Sequence, residues 1–293
     1  MLGEVLTAIV TPFHADGSVD LDSFRRLSSH LVDNGSDGIV VAGTTGEAPT
    51  LSDDEKLELF AAAVDAVGGR ATVIANTGTY DTAHSAHLTE RANDLGVHAF
   101  LAVTPYYNKP PQQGIVRHFQ EIAAATDKPI VAYNIPSRTI VNIEPATITE
   151  LAEIDNLAAV KQAHGDLGEA RHIVDVGLDL YSGDDPVTLE FLGLGAVGVV
   201  SVTGHLWGLQ IKEMIRRHRA GDAEGARAAH EAMQPSYDLL KIQTNPIPIK
   251  AAANLLGHDV GGYRLPMVDP TEGELAQVRA CLECAGMLEP ARA

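Results

Sequence analysis

The stretch Leu157-Ala158-Ala159-Val160-Lys161-Gln162 sets a primary amine at the end of an otherwise apolar run. A short uncharged run of this kind reads as one strand of a parallel sheet covered on both faces. Working outward, similar runs rich in Val, Ile and Ala begin near Leu6, Ile39, Thr72, Ala99, Ile130, Leu180 and Val197. Helical patterns lie between them. Leu57, Phe60, Ala61 and Val64 fall at i, i+3, i+4 and i+7, behind a capping box made by Ser52 and Glu55. Phe24, Leu27 and Leu31 form a second stripe, opened by Asp20 and Asp22. Strands alternating with helices at intervals of roughly 20 to 35 residues point to an α/β fold, a (β/α)8 TIM barrel. A doubly wound sheet would want a Gly-rich nucleotide loop after the first strand, and Val10-Thr11-Pro12-Phe13 is not one. From Asp222 the pattern turns purely helical, over Asp222–Gln243, Pro246–Leu256 and Pro270–Met287. The expected organisation is a catalytic barrel over 1–220 and a C-terminal helical region over 221–293.

Composition narrows the partners. The 293 residues carry 21 basic and 39 acidic side chains, a formal charge of -18, which argues against nucleic acid or an anionic membrane. The two cysteines, Cys281 and Cys284, are too few for a disulfide framework or a structural zinc site, and read as two thiols on a C-terminal helix. The N-terminus has no basic, apolar leader pattern, so a cytoplasmic setting is expected. Phe191–Ile211 is uncharged and long enough to span a bilayer. Its five glycines, and the β-branched run Val199-Val200-Ser201-Val202, suit a buried strand between two helix ends better.

In such a barrel the chemistry gathers at the C-terminal ends of the strands. Those ends read Gly43-Thr44-Thr45-Gly46-Glu47, Thr104-Pro105-Tyr106-Tyr107-Asn108, Tyr133-Asn134-Ile135-Pro136-Ser137-Arg138, Val160-Lys161-Gln162, Ser182-Gly183-Asp184-Asp185 and Val200-Ser201-Val202-Thr203. An amine buried beside Val160 loses its charge more readily and becomes a nucleophile; the plainer alternative is a lysine snorkelling to solvent. Lys56, Lys109, Lys128, Lys212, Lys241 and Lys250 read as residues of helix surfaces, loops or the C-terminal region. Tyr133 ends the preceding strand, where it either serves Lys161 or fills the core. The Gly43–Gly46 turn offers N–H groups and two hydroxyls to a small carboxylate. Arg138 suits a carboxylate too, against the alternative of a surface ion pair. Tyr106-Tyr107 is either an apolar plug or a hydroxyl relay. No His/carboxylate cluster of metal-ligand type stands at the strand ends, and no metal or cofactor is expected.

Taken together and in this order, these motifs resemble those of the pyruvate-dependent class I aldolases, the family that includes dihydrodipicolinate synthase and N-acetylneuraminate lyase. The resemblance runs from Thr7-Ala8-Ile9-Val10-Thr11-Pro12-Phe13 to Asn245-Pro246-Ile247-Pro248 and Leu265-Pro266-Met267. Thr44-Thr45 and Ser137-Arg138-Thr139 are similar to the synthase branch. The resemblance implies an imine between Lys161 and pyruvate, with the pyruvate carboxylate on Thr44 and Thr45. It implies a proton relay of Tyr133, Thr45 and Tyr107, with Tyr107 reaching in from a neighbouring subunit of a homotetramer. Arg138 would hold the carboxylate of aspartate 4-semialdehyde, and Gly183 and Val200 match positions whose carbonyls flank the lysine. The product would be 4-hydroxy-tetrahydrodipicolinate, on the route to diaminopimelate and lysine. Two alternatives remain: a lyase acting on another aldehyde, such as an N-acetylneuraminate or 2-keto-3-deoxy-sugar-acid type of substrate, and a non-catalytic barrel that retains a pyruvate pocket. One departure stands out. Where lysine-inhibited members carry a polar partner and a carboxylate, this sequence has Lys56 and His84, so weak or absent inhibition by lysine is expected.

Overall fold

In a computed structural model describing residues 2–289, the eight apolar runs close into one parallel barrel. The strands are β1 (Val5–Ala8), β2 (Gly38–Val41), β3 (Thr72–Asn76), β4 (Ala99–Val103), β5 (Ile130–Asn134), β6 (Leu157–Gln162), β7 (Asp179–Ser182) and β8 (Gly198–Ser201). Each pairs with the next, and β1 pairs with β8 to complete the ring. Around it run α1 (Leu21–Asp33), α2 (Asp53–Val67), α3 (Thr82–Asn93), α4 (Gln112–Ala124), α5 (Pro136–Thr139), α6 (Pro145–Leu151), α7 (Leu167–Asp175), α8 (Thr188–Leu194) and α9 (Gly204–Arg219). The C-terminal region adds α10 (Ala223–Ala232), α11 (Gln234–Lys241), α12 (Ile247–Leu255) and α13 (Glu272–Cys284).

Pleat alternation divides the apolar residues between two cores. Leu6, Val40, Ile74, Leu101, Val131 and Tyr181 fill the lumen. Val5, Ile39, Val73, Phe100, Ile130 and Leu180 face outward onto the helices. Ile249, Val260, Val278 and Leu282 belong to that same outer core, so the C-terminal helices continue the barrel's packing. The uncharged stretch Phe191–Ile211 holds the end of α8, all of β8 and the start of α9. Among the described residues no helix is long and apolar enough to cross a membrane.

Two expectations about helices need correction. In α2 the Ser52–Glu55 capping box forms, but the buried face is Lys56, Leu59, Phe60, Ala63 and Val67. Leu57 and Val64 are only half-buried and Ala61 is exposed, because a charged residue occupies one position of the true face and hides it from a hydrophobic count. The stretch Asp222–Gln243 is two helices. Pro235, which lacks an N–H, lies in the first turn of α11.

His205, buried at the start of α9, ties that helix to the loop after β1. Its Nε2 accepts the Val10 N–H at 3.1 Å, so Nδ1 carries the ring proton and donates to the Val202 carbonyl at 2.8 Å. Burial pushes the ring down to about 4, and His118 on α4 is pushed down to about 4 for the same reason. Because the folded values lie below the free value of 6.5, the stabilisation is complete above pH 6.5 and is lost as pH falls towards 4. The melting temperature is expected to hold above pH 7 and fall between pH 6.5 and 4.5. His205→Gln, which keeps an acceptor and a donor, should reduce that slope. Burial also lowers His30 and His258, whose rings lie 4.3 Å apart, and these keep part of it. An unchanged slope in the variant would remove His205 from this account.

Candidate active site

The position of Lys161 depends on a defect in its strand. Ile130 pairs with Leu157 and Val131 with Ala159, so Ala158 is an unpaired extra residue between them. The irregularity reverses the alternation, leaving Leu157 in the outer core while Ala159 turns into the lumen. Lys161, two residues on, follows Ala159 inward and is 5% exposed. Tyr133 is its register partner on β5, and the Lys161 Nζ lies 4.0 Å from the centre of the Tyr133 ring.

Burial brings the Lys161 amine down to about 8; Arg138 adds to this, while Asp185 and Asp184 oppose it. Burial raises the Tyr133 phenol to about 12, against the opposing pull of Arg138 and of a hydrogen bond with the Thr44 side chain. A neutral amine thus becomes accessible near neutral pH beside a phenol that keeps its proton. Both line a cavity of about 310 Å³ at the C-terminal mouth of the barrel.

The remaining walls come from most of the motifs quoted above. After β2, Gly46 N–H bonds to Gly43 O at 3.1 Å and Glu47 N–H to Thr44 O at 3.1 Å, a tight turn that sets Thr44 and Thr45 on the cavity. Gly183 hydrogen-bonds through its N–H to Gln162 O at 2.8 Å. A Cβ at Gly183 would lie 3.0 Å from Lys161 Cγ and 2.8 Å from Ala163 Cβ, so the site needs glycine there. Arg138, exposed on α5, closes one side, its Nη2 3.3 Å from Asn245 O and 3.4 Å from Thr244 Oγ1. The Val200 side chain packs in the lumen, and Val202 lines the cavity from that strand end. Tyr107 is 86% exposed and does not line this chain's cavity, with its backbone held at φ +72°.

The two threonines have different neighbours. Thr44 is the threonine whose side chain pulls on the Tyr133 phenol, whereas Thr45 accepts a hydrogen bond from Asn245 Nδ2 at 2.9 Å. Asn245 itself comes from the C-terminal region and was not singled out as a site residue, although it opens the Asn-Pro-Ile-Pro motif. Asp184 and Asp185 were also passed over; two adjacent carboxylates at a strand end were the available signal. Asp184 lines the cavity, its carboxyl raised by burial and by Asp185. Asp185 is tied down by the N–H groups of Val202 at 2.9 Å and Thr203 at 3.1 Å, and by the Ser201 hydroxyl.

Comparison with known proteins places the chain. The sequence model of the dihydrodipicolinate synthetase family matches residues 1–285. The chain belongs to the dihydrodipicolinate synthetase family. The 4-hydroxy-tetrahydrodipicolinate synthase of Moorella thermoacetica is 49% identical over 98% of this chain and 99% of its own. Among solved structures, the dihydrodipicolinate synthase of Cyanidioschyzon merolae with lysine bound superposes with a TM-score of 0.96 at 43% identity, covering 98% of this chain and 99% of that one. The chloride-inhibited enzyme of Acinetobacter baumannii complexed with pyruvate gives 0.95 at 36% identity, covering 98% and 100%.

Within this family member, a second cavity of about 480 Å³ lies behind the first and shares Thr44, Ile135 and Arg138 with it. Lys56 and His84 both line it and both converge on Asp53: His84 Nε2 is 2.8 Å from Asp53 Oδ2, and Lys56 Nζ is 4.0 Å from Oδ1. Lys56 is therefore buried and not a helix-surface lysine, because its stem fills the core face of α2 while its ammonium meets a carboxylate.

Lys250 lies in the C-terminal region, as expected, but not on a surface. It is buried in α12, with its Nζ 2.9 Å from Glu47 Oε1, and the two side chains are 0% and 1% exposed. Glu47 Oε2 accepts the Arg264 N–H at 3.0 Å, and the ammonium also sits 4.3 Å from the centre of the Phe13 ring. Removing one partner of such a pair strands a charge. Lys250→Met is expected to cost about 3–5 kcal/mol in urea unfolding. The double variant Glu47→Gln, Lys250→Met should recover part of that loss; a Lys250→Met change with no measurable cost would show the pair to be dispensable.

Proposed function

We propose that this chain condenses pyruvate with L-aspartate 4-semialdehyde to give 4-hydroxy-tetrahydrodipicolinate, through an imine on Lys161. The observation that carries the proposal is a buried amine, 4.0 Å from the centre of the Tyr133 ring, opening on a cavity with hydroxyls on one wall and a guanidinium on another. Relatives at 47–49% identity that bear the synthase name support it.

The neutral Lys161 amine attacks the pyruvate carbonyl, and the carbinolamine loses its hydroxyl as water. Tyr133, still protonated at a value of about 12, supplies the proton for that departure and takes one back afterwards. The iminium then draws electrons from the neighbouring methyl group, which loses a proton to give the enamine. The enamine carbon attacks the semialdehyde carbonyl, and Arg138 holds the semialdehyde carboxylate so that this carbonyl faces it. The amine of the second substrate finally displaces Lys161 from the former pyruvate carbon, closing the ring and freeing the enzyme. Every atom comes from the two substrates, the lysine and water. Because the Thr44 side chain acts on the Tyr133 phenol, we read the relay as running through Thr44 in place of the Thr45 that the resemblance implies, with Thr45 serving the pyruvate carboxylate. The exposed Tyr107, with its strained backbone, suits a role completed by the neighbouring subunit of a homotetramer. The C-terminal region is part of the same catalytic unit, and the setting is cytoplasmic amino-acid biosynthesis.

Product formation should be measured for pyruvate with aspartate semialdehyde and, separately, with N-acetylmannosamine. Turnover of the semialdehyde alone is expected. Borohydride with pyruvate should trap one adduct on Lys161, and Lys161→Ala should abolish both the adduct and turnover. Turnover of the sugar aldehyde, or activity surviving the substitution, would overturn the assignment.

Lysine should inhibit weakly or not at all, because Lys56 sets an ammonium and His84 an imidazole where an incoming ammonium would need acceptors. A titration through the sub-millimolar range should leave most of the activity; half-inhibition below millimolar lysine would contradict this.

A further inference from the structure

We infer that Asn245, from the segment between α11 and α12, is a positioning residue for the first substrate: it sets the direction in which the Thr45 hydroxyl gives its proton, and so makes Thr45 a donor to the carboxylate. Asn245 Nδ2 donates to Thr45 Oγ1 at 2.9 Å. A hydroxyl carries one proton and two lone pairs. With a lone pair occupied by the amide, the Thr45 proton must find another acceptor. Among the described residues none receives it, although Thr45 is buried, and both residues line the cavity of Lys161. A substrate carboxylate there supplies the missing acceptor.

The opposite rotation of the amide would undo this. Asn245 Oδ1 would then take the Thr45 proton for itself and leave both amide hydrogens without a partner in a buried position. Orphaned buried N–H groups are rarer than under-satisfied carbonyl oxygens, which favours the orientation described, with Oδ1 buried and unpartnered. The same residue steadies the second anchor by another route. Its backbone oxygen accepts from Arg138 Nη2 at 3.3 Å, and the preceding Thr244 hydroxyl accepts at 3.4 Å. One segment of the C-terminal region therefore orients the hydroxyl proposed for the first carboxylate and the guanidinium proposed for the second. Only the first of these uses the Asn245 side chain, so the two separate on substitution.

The inference rests on the imine chemistry proposed above, and the experiment keeps the two distinct. Steady-state kinetics and the pyruvate dependence of borohydride trapping should be measured for wild type, Asn245→Ala, Asn245→Asp, Thr45→Val and the double variant Asn245→Ala, Thr45→Val. Asn245→Ala should raise the KM for pyruvate, and the concentration for half-maximal trapping, by roughly 10-fold, as for one hydrogen bond to a charged group. The kcat and the KM for the semialdehyde should change by less than about 3-fold. Asn245→Asp keeps the shape but captures the Thr45 proton and brings a like charge to the carboxylate, so its pyruvate KM should rise further. The double variant should be no worse than Thr45→Val alone, because the amide acts only through that hydroxyl. An unchanged pyruvate KM in the isosteric Asn245→Asp protein, or losses that multiply in the double variant, would overturn the role of Asn245. If wild type itself is not trapped by pyruvate, the imine proposal fails first.

Discussion

Closing eight parallel strands into a ring fixes which side chains share the interior, and nearly everything of chemical interest in this chain follows from that. Pleat alternation admits only every second residue of each strand to the lumen. Below, the space is taken by the buried side chains of Leu6, Val40, Leu101, Val131 and Tyr181. At the C-terminal mouth the same inward positions carry Tyr133 and Lys161. The amine is therefore desolvated by a floor it did not have to build. Its lowered affinity for a proton is a property of the barrel, transmitted by alternation and corrected once, at Ala158, by the irregularity in β6.

A second constraint holds the rim. The turn after β2 is a short loop with two residues, Ala42 and Glu47, in the left-handed region, at φ +53° and +57°. Such a conformation needs support, and Glu47 receives it from Lys250 and from the Arg264 backbone. Asn245 and Thr244 reach the same rim from one turn earlier in the C-terminal region. The helices after α9 thus brace the substrate face directly.

Much of this was legible in the residues. The strand starts near Leu6, Ile39 and Val197 lie within one residue of the observed starts of β1, β2 and β8, because uncharged β-branched runs have few other uses in an alternating pattern. Lys161, Tyr133, Thr44, Thr45 and Arg138 were legible because a polar residue at the end of an apolar strand stands out, and Gly183 only through the family resemblance. Lys56 and Lys250 were not, since a lysine in a helical stretch is normally solvated; Asp53 stands only three residues before Lys56, but only the fold buries that pair and brings Glu47 to Lys250. Asn245 was invisible as a site residue for a related reason: its partner, Thr45, lies two hundred positions earlier. Local pattern reports which face a residue occupies; it cannot report a pairing made across the whole chain.

The pairing of Glu47 with Lys250 has a consequence for how the chain comes into being. Their separation of 203 residues means that, during synthesis from the N-terminus, the carboxylate of the β2 turn is made long before its counter-ion. All eight strands are complete by Ser201, yet a barrel closed at that moment would still lack the ammonium that pairs with its β2 turn. The last quarter of the chain thus completes a contact that the first quarter begins. A chain ending near residue 220 would hold every strand and leave Glu47 without Lys250.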